Sequence, residues 1–133
     1  MTMPPPTVGS ELPAFTVTVS ARTMCDWALY LRDPNPIHLD PDFVRARGLG
    51  DRVINQGPAN LAYIINMLAG AFPGARIASL ESRFVDNAYD GDRLTAGGRV
   101  VETDGRQAIC DVWLTADGDR PIIQGRAVIL PPP

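Results

Sequence analysis

Apolar residues follow two different spacings near the start of the chain, and each spacing predicts one kind of element. In AFTVTVS, residues 14–20, apolar side chains alternate with threonine, which predicts a half-buried strand. The spacing then becomes helical, with apolar residues at Met24, Trp27, Ala28 and Leu31. We therefore expect an amphipathic helix, capped by Ser20 or Thr23 and stopped before Asp33-Pro34.

Two further helices are predicted in the middle of the chain. Asp40-Pro41-Asp42 offers an N-cap, a proline at the first helical position and an acidic first turn, so a short helix over FVRAR should end at Gly48. Residues 57–72, GPANLAYIINMLAGAF, are apolar on nearly every side apart from Asn60 and Asn66. A helix with so little polar surface is expected to be buried.

Strand-like stretches dominate the rest of the chain. Four of them, residues 75–85, 92–102, 106–115 and 120–130, are separated by the turn sequences YDGD, TDG and ADGD. This order predicts an antiparallel sheet. A long buried helix followed by consecutive strands predicts an α+β fold, in which the antiparallel β-sheet is wrapped around a long central helix.

The overall composition fits one domain. The 133 residues are 45% hydrophobic, enough for one core. We assign that domain to residues 11–130 and expect a flexible N-terminal segment over residues 1–10. The net charge of -3 and the absence of a basic run argue against nucleic acid as a partner. The chain has neither a signal-peptide pattern at its start nor an apolar run long enough for a membrane span, so we expect a cytoplasmic protein with no membrane partner.

The residue types present restrict the chemistry. All twelve basic residues are arginine, so a lysine Schiff base and an anchor for pyridoxal phosphate are excluded. Cys25 and Cys110 do not make a disulfide framework, and both thiols are expected to be reduced. The single histidine leaves no cluster with metal-ligand spacing. We therefore expect no metal and no cofactor.

The lone histidine lies in the stretch RDPNPIHLD, residues 32–40. Two prolines disfavour a helix there, so Asp33 and His38 are expected on an ordered, non-helical turn. Together they could hold and polarise one water molecule. Gly57, at the start of the long helix, could offer its N–H to a developing oxyanion. The alternative is structural: Asp33 caps a turn, His38 binds backbone, and Gly57 only permits a bend.

The stretch DPNPIHLD closely resembles the D-x-N-P-[ILV]-H-x-D signature of the MaoC-like, (R)-specific enoyl-CoA hydratase family, which has the hotdog fold. VGSELP, VINQGPANLAYI and RFVDNAYDGDRL occur in the order expected of that family. The resemblance covers nearly the whole chain. It implies a lyase (hydro-lyase) that adds water to a 2-enoyl thioester to give an (R)-3-hydroxyacyl thioester, or removes that water.

The resemblance also implies roles for particular residues. Asp33 and His38 would activate the water, and the Gly57 amide would stabilise the enolate. Asn35 would orient the catalytic turn or contact substrate, and Gln56 and Asn60 are further oxyanion or substrate-binding candidates. The substrate would be a thioester of coenzyme A or acyl carrier protein, in fatty acid or polyketide metabolism. A homodimer, or a higher even oligomer, is expected.

Several positions depart from the family pattern. Leu31-Arg32 replaces the usual Ser-Gly before the aspartate, and Gln56-Gly57-Pro58 replaces His-Gly-Met. Two alternatives stay open: an acyl-CoA thioesterase of the same fold, and a non-catalytic or partner-dependent MaoC-like subunit in which these changes have retired the site. The identity of the acyl group, the nature of its carrier and the direction of reaction stay open. Three arginines after the motif are candidates for binding carrier phosphates: Arg45, Arg47 and Arg52.

Overall fold

The computed structural model describes residues 7–132. Its helices are α1 (Ala21–Leu31), α2 (Pro41–Ala46) and α3 (Gly57–Ala71), and a 3₁₀ turn covers Pro36–His38. Its strands are β1 (Phe15–Thr18), β2 (Arg76–Phe84), β3 (Arg93–Thr103), β4 (Ala108–Ala116) and β5 (Arg120–Leu130). Each predicted helix and strand is present, and the boundaries move by a few residues at most.

The five strands form one antiparallel sheet in the order β1-β3-β4-β5-β2. Along β4 the side chains alternate between the core and the outer face, as a sheet with one covered face requires. Helix α3 packs on β1, β3 and β4. The predicted α+β arrangement is confirmed.

Helix α3 is less enclosed than its composition predicts. Ile64, Met67 and Leu68 are buried against the sheet, but Ile65 and Asn66 on the opposite side are exposed. The prediction of burial all round is therefore wrong for the single chain, because the sheet covers only one side of the helix.

The cap of α1 comes from a distant part of the sequence. Ser20 occupies the N-cap position, but its side chain makes no capping bond. The Asp90 carboxylate instead accepts the backbone N–H of Ala21, at 2.8 Å. The predicted N-cap position at Ser20 is therefore confirmed, but the capping acceptor comes from the loop before β3 and not from the side chain of Ser20 or Thr23.

The N-terminal segment follows β3 where it is described. Gly9 donates to the Val100 carbonyl at 2.8 Å, and Val100 donates back to the Ser10 carbonyl at 3.0 Å. Residues 1–6 of the predicted flexible segment lie outside the described residues, as does Pro133. None of the helices within residues 7–132 is long and apolar enough to cross a membrane.

Candidate active site

The C-terminus of α1 places Asp33. The N–H of Arg32 bonds to the Leu29 carbonyl at 3.2 Å, and the N–H of Asp33 bonds to the Ala28 carbonyl at 2.9 Å. This pair of bonds is a Schellman motif, which needs a left-handed residue between the helix and the following turn. Arg32 takes that conformation, with φ of 53°. Within residues 7–132 it forms no ion pair with Asp33, whose carboxylate contacts His38 instead.

A short hydrogen-bonded turn connects Asp33 to His38. Asp33 Oδ1 accepts the N–H of Asn35 at 3.3 Å, and Asn35 Oδ1 accepts the N–H of Ile37 at 3.2 Å. Asn35 thereby caps the single 3₁₀ turn that ends at His38. The predicted absence of an α-helix is confirmed, although His38 itself lies in this 3₁₀ turn rather than in a fully non-helical segment. The turn leaves Asp33 Oδ2 directed at the imidazole.

His38 is held through one ring nitrogen and left open at the other. Its Nδ1 lies 2.6 Å from the Ile54 carbonyl oxygen in a buried contact. A carbonyl only accepts, so the neutral ring carries its proton on Nδ1 and a lone pair on Nε2. Nε2 lies 3.7 Å from Asp33 Oδ2, beyond direct hydrogen-bonding range. Both atoms are acceptors, and a single water that lies beside the pair, at hydrogen-bond distance from each atom, can donate one proton to each.

Gly57 begins α3 three residues after Ile54. An extended chain of three residues spans about 10 Å, so the Gly57 amide lies within about that distance of the carbonyl that holds His38. As the first helical residue, Gly57 has a backbone N–H without an intrahelical acceptor. Pro58 has no backbone N–H. The φ of Gly57 is not positive, and an added Cβ would meet only the Phe84 ring, at 3.6 Å. The backbone therefore does not require glycine at this position.

The other two candidates near Gly57 lie in buried hydrogen bonds. Gln56 Nε2 donates to the Met24 carbonyl at 2.8 Å and so links the start of α3 to α1. Its Oε1 is buried and has no partner within residues 7–132. Asn60 Oδ1 accepts from Asn55 Nδ2 at 2.8 Å. Asn55 also donates to the Tyr63 hydroxyl at 3.2 Å. Three groups that bind the candidate residues were not identified from the sequence: the Asn55 side chain, the Tyr63 hydroxyl and the Ile54 carbonyl.

A cavity of about 340 Å³ opens beside His38. Cys25, Arg45 and Arg52 are among its lining residues. Arg45 pairs with Asp42, and Arg52 pairs with Asp92, so both guanidinium groups already have carboxylate partners. Arg47 instead lies over the Phe43 ring, 4.6 Å from its centroid. Of the three arginines predicted as candidates for phosphate binding, Arg45 and Arg52 line this cavity and Arg47 does not.

The two cysteine thiols do not form a disulfide with each other. Cys25 is exposed and Cys110 is buried in the sheet, and both are free. Burial raises the pKa of the Cys110 thiol to about 11, with a further contribution from the Asp111 carboxylate. In the described part of the chain, no group of three or more His, Cys, Asp or Glu side chains is placed to hold a metal ion.

Comparison with solved structures defines the class of fold. The (R)-hydratase from A. caviae involved in PHA biosynthesis superposes with a TM-score of 0.86 at 22% identity, covering 95% of this chain and 97% of that one. R-hydratase PhaJ1 from Pseudomonas aeruginosa gives 0.84 at 22% identity, over 95% and 82%. The ChsH1-ChsH2 complex from Mycobacterium tuberculosis gives 0.82 at 19% identity, over 93% and 97%. The chain has the hotdog fold.

The family follows from the sequence match. The model of the MaoC like domain matches residues 6–116, most of the chain. This protein belongs to the MaoC-like dehydratase family, as its motif at residues 33–40 predicts. No curated protein sequence matches it.

Proposed function

We propose that this protein is an (R)-specific hydratase or dehydratase acting on a 2-enoyl or 3-hydroxyacyl thioester. The observation that carries the proposal is the pair of acceptors, Asp33 Oδ2 and His38 Nε2, separated by 3.7 Å. A water beside the pair donates a proton to each, and its oxygen lone pairs are then free to attack carbon.

In the hydration direction the water oxygen bonds to C3 of the enoyl group. One side chain of the pair takes a proton from the water as the electrons of the C2–C3 double bond move toward the thioester oxygen. The proton taken from the water is then delivered from the pair to C2 as the enolate collapses, so the elements of water add across the double bond. Asp33 and His38 end the cycle in their starting protonation states.

The Gly57 amide is the proposed donor to the thioester oxygen. Charge accumulates on that oxygen as the enolate forms, and a helix N-terminus offers both an unpaired N–H and a favourable dipole. Since the fold does not require glycine at position 57, its missing side chain is explained by the need for a carbonyl oxygen to approach closely. The 340 Å³ cavity that His38 lines is within the usual size range of small-molecule sites, although neither Asp33 nor Gly57 is among its lining residues.

The departures from the family pattern are compatible with activity. Arg32 adopts the backbone conformation that a glycine would otherwise take, and Pro58 lies in the first turn of α3, where a missing N–H breaks no helical bond. Gln56 uses its amide to join α1 and α3. None of the three side chains displaces Asp33 from His38.

The direct test is hydration of a panel of 2-enoyl-CoA thioesters, short, long and cyclic, followed by loss of the conjugated thioester absorbance. The wild-type chain should hydrate at least one substrate, and His38→Gln should lower kcat by about 10²–10⁴-fold. Release of free thiol without hydration would instead identify a thioesterase. Turnover only after addition of a second chain would identify a partner-dependent subunit.

Gly57→Ala tests the oxyanion donor separately. The added methyl group fits beside Phe84, so the variant should fold with unchanged thermal stability. It should nevertheless lose on the order of 10²-fold in kcat, because the thioester oxygen is kept from the amide. Wild-type activity in this variant would remove Gly57 from the mechanism.

The assembly we propose is a homodimer or a higher even oligomer formed through the β2 edge. β2 is one of the two edge strands, nearly all of it is exposed, and Phe84 and Val85 lie exposed at its end. An uncovered edge with apolar side chains favours pairing with a second copy. Because Phe84 adjoins Gly57, that copy would also enclose the oxyanion site. Sedimentation equilibrium should give an even multiple of the 14.4 kDa chain.

A further inference from the structure

The carbonyl that binds His38 belongs to a short extended segment, residues 53–55. One edge of this segment faces the catalytic turn: Ile54 donates to the Ile37 carbonyl at 2.9 Å and accepts from His38 Nδ1 at 2.6 Å. The position of the imidazole therefore depends on where the segment lies.

The other edge of the segment is bound to the loop before β3. The Asp90 N–H donates to the Val53 carbonyl at 3.0 Å, and the Asn55 N–H donates to the Ala88 carbonyl at 2.7 Å. Ile54 and Tyr89 form an antiparallel bridge between these bonds. The loop thus fixes the segment from behind, on the side away from His38.

Asp92 holds that loop together. Its side chain is 2% exposed and accepts from Arg52 at 3.0 Å, from Arg120 at 2.7 Å and from the Tyr89 N–H at 2.9 Å. Arg52 also donates to the Asp90 carbonyl at 2.8 Å and directly precedes the segment. Both guanidinium groups lie over the Tyr89 ring. Asp92 is the last residue of the stretch RFVDNAYDGD, and no residue of this stretch has a role in the proposed reaction.

We propose that Asp92 is a positioning residue that fixes the tautomer of His38. It acts through Arg52 and the loop at residues 88–90, which hold the Ile54 carbonyl against Nδ1. The kinetic part of this inference rests on the proposed hydratase function, whereas the tautomer itself does not.

The tautomer decides whether the pair can hold water as described. With the proton on Nδ1, both Nε2 and Asp33 Oδ2 accept, and one water beside them can donate to both. With the proton on Nε2, the ring would direct an N–H rather than a lone pair toward Asp33, and the nucleophilic water would lose an acceptor. A displaced Ile54 carbonyl removes the preference for Nδ1 and so favours the second arrangement.

The experiment uses the single histidine as a probe. In the full chain, made without a histidine tag and with ¹⁵N-labelled histidine, the imidazole nitrogens are the only such signals in the spectrum. In the neutral ring of the wild type, Nδ1 should give the protonated signal and Nε2 the unprotonated one. In Asp92→Asn and in Arg52→Met, the neutral ring should shift toward the form protonated on Nε2.

Enzyme kinetics give a second measurement on the same variants. Loss of an outer hydrogen bond that orients an imidazole lowers activity on the order of tenfold, and we expect that loss in kcat for both variants. KM should stay unchanged in Asp92→Asn, whereas Arg52 itself lines the cavity and its replacement can also change KM. Asp111→Asn is the matched control, because Asp111 pairs with Arg126 on the outer face of the sheet. It should change neither the tautomer nor kcat.

A folded Asp92→Asn or Arg52→Met variant with wild-type imidazole signals would overturn the proposal. Should Asp92→Asn fail to fold, Arg52→Met decides alone, because it leaves Asp92 paired with Arg120. Absence of hydratase activity in the wild type would overturn the proposed function but would leave the tautomer test intact.

Discussion

Two aspartates near the site show how the same side chain serves chemistry in one region and architecture in another. In the catalytic turn, Asp33 is 46% exposed, and Oδ1 accepts one long bond of 3.3 Å while Oδ2 faces His38. In the loop before β3, Asp92 is buried and accepts from two arginines and a backbone N–H. A carboxylate with spare acceptor capacity can bind water and exchange a proton, whereas a saturated one holds its neighbours in place.

The difference also separates function from stability. Little of the fold depends on Asp33, because its side chain only joins a local turn. Several parts of the fold meet at Asp92, because its partners lie 28 and 40 residues away in sequence. Substitution of Asp33 should therefore change kcat with little effect on stability, whereas substitution of Asp92 should lower stability as well as kcat.

The largest effect is expected from Asp33→Asn. The amide keeps the size of the side chain but cannot take a proton, so kcat for hydration should fall by about 10²–10⁴-fold. The melting temperature should stay close to that of the wild type. Enzyme assays and thermal unfolding on the same preparation check both statements, and a large loss of stability would show that Asp33 is structural.

Asp92→Ala should have its main effect on stability. Asp92→Ala removes a buried carboxylate that accepts from two guanidinium groups and a backbone N–H, although Arg120 keeps its pair with Asp86. The free energy of unfolding should fall by about 3 kcal/mol. Urea unfolding measures the change, with Asp111→Ala as the exposed control. An equal, small effect at both positions would contradict the architectural role of Asp92.

Arg32→Gly should stabilise the protein while leaving the turn intact. A left-handed non-glycine residue costs about 1–2 kcal/mol, and glycine removes that cost. Only part of it is regained as stability, because glycine also adds about 0.4–1 kcal/mol of unfolded-state entropy. We expect a gain of roughly 0.5 kcal/mol in urea unfolding. Asp117 has the same φ of 53°, but aspartate tolerates this conformation better. Asp117→Gly is therefore the control and should give no gain.

The smallest effect is expected from Asp86→Asn, beside the Asp92 network. The Asn87 N–H and the Arg120 guanidinium lower the pKa of the Asp86 carboxyl. Its contribution is therefore present above the unfolded-state pKa and is lost as pH falls through the folded-state pKa. Because the side chain is 42% exposed, the variant should lose only about 0.3 kcal/mol at neutral pH. Urea unfolding at neutral and acid pH should show the difference vanishing on acidification.

Much of the fold could be predicted because the spacing of apolar residues along the chain indicates each helix and strand. The alternation in β4 and the apolar stripe of α1 depend on neighbouring residues only, so their predictions hold. The exposure of Ile65 could not be predicted, because it depends on which side of α3 the sheet covers. The left-handed turn at Arg32 was equally hidden, since the glycine that normally marks such a turn is absent.

The candidate site divides in the same way. The stretch at residues 33–38 identified Asp33 and His38 as a pair, and the geometry brings them within 3.7 Å. The partner that sets the imidazole tautomer is a backbone carbonyl 16 residues away, and no side-chain motif can encode a carbonyl that every residue possesses. The cap of α1 by Asp90, 69 residues from Ala21, was hidden for the same reason of distance.

By itself, the sequence determined the elements, the family and the two side chains that face each other on one turn, because these depend on residue type and short-range order. Only the tertiary structure decided which nitrogen of His38 carries the proton, which residue caps the N-terminus of α1, and which aspartate is left free to react. Those outcomes depend on hydrogen bonds between segments far apart in the chain, and such bonds exist only once the sheet and loops have brought the segments together.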